Sequence, residues 1–100
     1  MIKSRFLPAA EFEFLHEVGY YSKIRLELGE RFHDAVKAAI SRVVRFPRSG
    51  APSYKGTRSA MLKGFPFSVV YRASIDEILI VAIAPHRRRP NYWLSRVEPA

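Results

Sequence analysis

The sequence predicts an α+β fold in the order β-α-α-β-β-β, a small, mostly antiparallel sheet with a helical hairpin packed on one face. Three observations carry this. Apolar residues recur at helical spacing through most of the first half of the chain. Three β-rich segments at hairpin spacing fill the second half, and one short alternating segment precedes both.

Ile2 to Phe6 alternates as a short strand, and it stops where Pro8 can occupy the first turn of a helix. From Ala9 to about Tyr21 the positions Phe14, Val18 and Tyr21 form a helical stripe widened by Leu15. Glu11 and Glu13 fall in its first turn, where a carboxylate favours the positive end of the helix dipole. The pattern restarts near Ser22. Ile24, Leu28, Phe32, Ala35, Ala39, Val43 and Phe46 lie three or four apart, with Val36, Ile40 and Val44 broadening the face. Pro47 closes this second helix at Phe46, because the residue before proline is pushed out of helical geometry. Gly29 is a candidate kink, costing roughly 1 kcal/mol in mid-helix. Two helices joined by a tight turn form an antiparallel hairpin.

Pro47 to Gly56 reads as loop, with Arg48, Ser49, Gly50, Pro52 and Ser53. Arg58 to Leu62, Phe67 to Ala73 and Glu77 to Ala84 follow as strands, separated by Lys63-Gly64-Phe65-Pro66 and Ser74-Ile75-Asp76. The last is apolar on both faces, which argues for a central position covered on both sides. A short helix is expected near Pro90.

One hundred residues without an internal shift in composition are expected to form a single domain, residues 1–100. Thirteen per cent of the chain is aromatic, which excludes a disordered basic tail. Seventeen Lys and Arg against nine Asp and Glu give a net charge of +8. That balance suits an acidic partner, whether nucleic acid, ribonucleoprotein or acidic protein. There is no cysteine, so neither a disulfide framework nor a thiolate metal site. No histidine–carboxylate group has ligand spacing, so no metal or cofactor is expected. No apolar run reaches membrane-spanning length and no signal peptide opens the chain, so a cytoplasmic location is the default.

The chemistry concentrates where the last strand ends, in His86-Arg87-Arg88-Arg89-Pro90-Asn91-Tyr92-Trp93 and then Arg96. Guanidinium forks beside flat aromatic rings are what proteins use to hold phosphates and stack on unpaired bases. Lys55 and Arg58, Arg87, Arg88, Arg89 and Arg96 are the candidate anion-binding residues. If their strands are neighbours, Arg58 and Arg87 would project into one concavity on the sheet's open side. The alternative for Arg58 is a pairing with a carboxylate of the helical hairpin. His86 can exchange a proton near neutrality, or it can be a structural residue bonded to a carbonyl, the commoner role at a strand end. Tyr92 can act as an acid, orient a phosphate or stack, whereas Trp93 is expected to plug the core. His16 and His33 read as surface positions.

The ordered set Ala10, Tyr20-Tyr21, Gly29, Phe32, Pro47, Arg58, Leu62, Phe65-Pro66-Phe67, Val70-Tyr71, His86 to Pro90, Tyr92-Trp93 and Arg96 resembles the RelE/ParE superfamily of toxins from type II toxin–antitoxin systems. The resemblance runs almost end to end and implies the β-α-α-β-β-β fold. It also implies a cognate acidic antitoxin that wraps the hairpin and sheet edge. RelE-like members cleave messenger RNA on the ribosome without metal, which would make Arg58, His86, Arg87 and Tyr92 the catalytic residues. Here the aromatic stands one residue further from the His-Arg pair than is usual, and the lysine-rich loop is reduced to Lys55 with no glutamate base. The closing Pro90-Asn91-Tyr92-Trp93 is similar to ParE-like members, of the plasmid-stabilisation type, some of which poison DNA gyrase. Growth arrest through a protein target is therefore the expected function. Ribosome-dependent RNA cleavage is the alternative, and a non-toxic basic binding domain is a second one.

Overall fold

A computed structural model describes residues 2–97. Strand β1 (Lys3–Phe6) leads through Leu7 into helix α1 (Pro8–Ile24), with Pro8 in the first turn, where its missing N–H costs nothing. Arg25 alone separates α1 from α2 (Leu26–Arg45); its extended backbone (φ −164°, ψ 131°) breaks the helical run. The turn expected near Ser22 is thus one residue long and lies three positions later. Gly29 is the fourth residue of α2, in its first turn and not in mid-helix as expected, and the helix runs on through it. This glycine is instead the crossing point of the hairpin. A Cβ on it would lie 1.8 Å from Ser22 Oγ and 2.9 Å from the Val18 carbonyl oxygen.

The remaining strands are β2 (Ala51–Pro52), β3 (Arg58–Met61), β4 (Phe67–Ala73) and β5 (Glu77–Pro85). They form one five-stranded sheet in the order β1-β5-β4-β3-β2, in which β1 runs parallel to β5 and the other neighbours are antiparallel. The two-residue β2 falls inside the stretch expected to be loop. With only two residues and a proline it carries no readable alternation. Where a short terminal helix was expected, Leu94–Arg96 makes one 3-10 turn.

Phe32, Val36, Ala39, Ile40 and Val43 of α2 and Phe14 of α1 cover one face of the sheet, packing on Phe67, Val69, Tyr71, Ile78, Ile80 and Ile83. Phe32 meets Phe65 and Phe67 edge-on at 5.2 and 5.0 Å. Leu15, Ile24 and Phe46, read as part of the helical stripes, are more than half exposed. They flank the buried arc and do not belong to it. The Tyr71 hydroxyl donates to the Pro47 carbonyl (2.8 Å) and accepts from the Gly50 amide (2.9 Å), which pins the loop after α2 onto the sheet.

The opposite face is partly closed by the C-terminal segment, whose Trp93 and Val97 pack on Val70, Val81 and Ala82. Val81 and Ala82 share that face because β5 bulges there: Val70 pairs with Ala82 and Tyr71 with Ile80, leaving Val81 without a partner on β4. The continuous hydrophobicity of β5 therefore reflects burial on both faces, with β1 and β4 on its two sides. Among the described residues no helix is long and apolar enough to cross a membrane.

Candidate functional site

Strand β1 ends at Phe6, level with Ile80, and Leu7 donates to the Ile80 carbonyl (2.9 Å) as the last rung. Beyond it the edge of β5 is covered by side chains. Glu13, from the second turn of α1, accepts from the Ile83 amide at 3.1 Å. Arg96 donates to the Val81 carbonyl at 3.1 Å. The two are joined by a bidentate pair of 3.0 and 2.8 Å, and the Tyr92 hydroxyl donates to Glu13 Oε2 at 2.7 Å. The Arg88 guanidinium lies over the Tyr92 ring, 3.7 Å from its centre, with Nη1 3.8 Å from Glu13. Burial alone would raise the Glu13 carboxyl. The hydrogen bonds from Arg96, Tyr92 and Ile83 outweigh it and hold the group below the usual carboxylate value. Burial first, and then the bond to Glu13, push the Tyr92 phenol well above its ordinary value.

The predicted site residues divide accordingly. Tyr92 and Arg96 belong to this buried ion pair. Arg58 pairs across the sheet with Tyr71 and so projects toward the helix side. Its Nη1 donates to the Gly50 and Arg48 carbonyls at 2.8 and 3.3 Å. The carboxylate pairing considered for Arg58 is made instead by Arg96. Arg87 also lies on the helix side, at the other end of the sheet. It borders a cleft of about 170 Å³ with Glu17, Tyr20, Tyr21 and Ile24. Tyr71, level with Arg58, is four residues along β4 from Phe67, which pairs with Pro85. That is roughly 13 Å of strand before Arg87 is reached. The single open-face concavity expected for Arg58 and Arg87 therefore does not form: alternation sends Arg58 to the helix side, and strand length separates the two. Lys55 stands exposed at the tip of the β2–β3 hairpin in a left-handed conformation (φ 57°).

His86, Arg88 and Arg89 do come together. With Ser53, Ser59, Ser68 and Asn91 they line a cleft of about 200 Å³ on the open face, roofed by the turn after β5. The His86 amide donates to the Pro66 carbonyl (2.9 Å), and its Nε2 is 2.8 Å from Ser68 Oγ. Two residues were not singled out from the sequence as part of a site. Glu13 was read only for its place in the first turn of α1, and its partners lie 70 to 83 positions away. Ser68 carries a signal visible afterwards, a polar residue between Phe67 and Val69 in an otherwise apolar strand.

A helical hairpin on one side of a five-stranded sheet, with a basic C-terminal turn over the other, defines a small cationic α+β module. A solved structure of the chromosomal ParDE toxin–antitoxin system from P. aeruginosa has the same fold, with a TM-score of 0.73 at 20% identity over 85% of this chain and 96% of that one. Among curated proteins nothing matches. The model of the family described as the ParE toxin of the type II toxin–antitoxin system, parDE, matches residues 5–90, and the chain belongs to that family.

Proposed function

We propose that this chain arrests growth ParE-like, by binding an essential protein target in the cytoplasm, with DNA gyrase as the precedent among the toxins it resembles. One observation supports binding over cleavage: the groups a nuclease would gather around a single phosphorus are engaged separately. Arg58 is held by two loop carbonyls and the Tyr92 proton is shared with Glu13. Arg87 sits beside α1. A general acid has to release its proton near neutral pH, and a phenol pushed above its ordinary value does so less readily. The cognate acidic antitoxin is expected to cover the hairpin and sheet edge, offsetting part of the +8 charge.

The alternative, cleavage of messenger RNA on the ribosome, draws on the shared cleft of His86, Arg88 and Arg89. Expression without antitoxin separates the two, with supercoiling, double-strand breaks and message integrity followed together. Gyrase poisoning gives relaxed or broken DNA with intact messages, and the His86→Ala variant stays toxic. Cleaved messages, with loss of cleavage by orders of magnitude in His86→Ala, would overturn the binding reading. Unimpaired growth would leave only a non-toxic basic binding domain.

A further inference from the structure

The open-face cleft lies across the sheet from the helical hairpin, and its polar lining consists of hydroxyl, amide, imidazole and guanidinium groups set among Val70, Ala84 and Trp93. We propose that it is a binding site for a phosphate group, recognised through its oxygens and not through the base or sugar that carries it. The hydroxyls of Ser59 and Ser68, the imidazole of His86 and the guanidiniums of Arg88 and Arg89 line it, and no described lining residue is acidic. Ser68 is 8% exposed, and its Oγ lies 2.8 Å from His86 Nε2. When the imidazole donates to that oxygen, the serine hydrogen is free to turn toward an acceptor in the cleft. Arg88 is fixed by the Tyr92 ring and Glu13, whereas Arg89 makes no ion pair or side-chain hydrogen bond among the described residues. The Arg88 amide donates to the Pro85 carbonyl (3.1 Å) and closes the turn after β5, and Asn91, in a left-handed conformation (φ 62°), redirects the chain after both arginines. A buried hydroxyl and an exposed guanidinium lining the same cleft suit an oxyanion with several acceptor atoms.

The geometry also says what is not read. A base needs an accessible aromatic face to stack on. Trp93 is 4% exposed, and the Tyr92 ring is covered on one side by Arg88. A volume of about 200 Å³ admits a phosphate and part of the group bearing it. The site does not depend on which target the toxin inhibits.

The test is a titration of the full chain, followed by amide NMR, with inorganic phosphate, adenosine monophosphate, adenosine and a short oligothymidylate. Saturable shifts at Ser59, Ser68, His86 and Arg89 are expected for phosphate, with a Kd on the order of 1 mM. The monophosphate should bind within about threefold of that value and adenosine not at all, since only the charged oxygens contribute. Ser68→Ala and Arg89→Ala should each weaken phosphate by about tenfold, the effect of one charge-assisted hydrogen bond. Arg89 is exposed, so its variant reports even if Ser68→Ala fails to fold. Competition by the oligonucleotide identifies a nucleic-acid backbone as the source of the phosphate. Absence of competition identifies a free phosphate or mononucleotide, and either result upholds the site. Absence of saturable shifts at these residues, unchanged binding in Arg89→Ala, or adenosine binding as well as its monophosphate would overturn it.

Discussion

Glu13 accepts hydrogen bonds from Ile83, Tyr92 and Arg96 with two oxygens, and so joins α1, the β5 edge and the C-terminal turn. Its side chain is 13% exposed and that of Arg96 20%, so the charges are shielded from solvent and depend on each other. Removing one member of such a pair leaves the other uncompensated. Glu13→Gln should therefore cost about 2–3 kcal/mol in urea unfolding at pH 7, below the figure for a fully buried pair. Because the Glu13 carboxyl is held below its ordinary value in the folded chain, the unfolded chain binds more protons just beneath that value. The stability Glu13 supplies is thus complete above the unfolded carboxyl value, near pH 4.5, and is lost as pH falls through the lowered folded value. The wild type should lose stability steeply below that point, and Glu13→Gln less steeply; parallel curves would show that Glu13 is not the titrating group. Tyr92→Phe removes one donor and keeps the Arg96 pair, so it should cost about 1 kcal/mol. It should also remain toxic in the growth assay, whereas full loss of toxicity in a folded Tyr92→Phe protein would restore the phenol as a chemical participant.

The helical hairpin contains two glycines, Gly19 in the middle of α1 and Gly29 in the first turn of α2, whose environments are opposite. A Cβ at Gly19 meets nothing within 4 Å, whereas one at Gly29 meets Ser22 Cβ and the Val18 carbonyl at 2.9 Å each. Gly19→Ala should therefore stabilise by up to about 1 kcal/mol through helix propensity alone. Gly29→Ala, in the first turn of α2, gains at most that propensity and must push the helices apart against backbone, with overpacking costs of about 1–3 kcal/mol, so it should be neutral to destabilising. A thermal melt reads the sign: a higher Tm for Gly19→Ala and not for Gly29→Ala. The contrast also marks what the sequence can reveal. Spacing located both helices, because Phe32, Val36, Ala39 and Val43 must all face the sheet. The bounds of the Phe67–Ala73 strand are legible to the residue, because turn residues flank it on both sides. Spacing does not distinguish a glycine tolerated by solvent from one required by a neighbouring helix. Nor could it assemble the site. Which face Arg58 takes is decided by its register against Tyr71, and the partner of Arg96 lies 83 positions away on a helix whose turn chemistry gave Glu13 a sufficient local explanation.

Over the whole molecule, the sheet is protected against stray pairing at two places along its rim, and the net charge is positive. At one edge β2 is two residues long and contains Pro52. At the other, Glu13 and Arg96 cap the backbone of β5 where β1 ends, and Pro85 has no N–H to offer. Both are devices against unspecific strand pairing. A partner of opposite charge is drawn from a distance by the net charge of +8. Family membership makes a cognate antitoxin that partner. If the antitoxin is acidic, long-range attraction raises the rate of encounter and salt screens it, since the Debye length shrinks from about 14 Å at 0.05 M to about 4 Å at 0.5 M. The attraction acts before contact, so it enters the association rate, whereas short-range packing sets dissociation. Stopped-flow mixing of toxin and antitoxin should therefore show association slowing by at least about tenfold between those salt concentrations, with dissociation changing by less than about threefold. An association rate indifferent to salt would mean that the basic surface does not steer the complex, and that its charge serves the target or solubility instead.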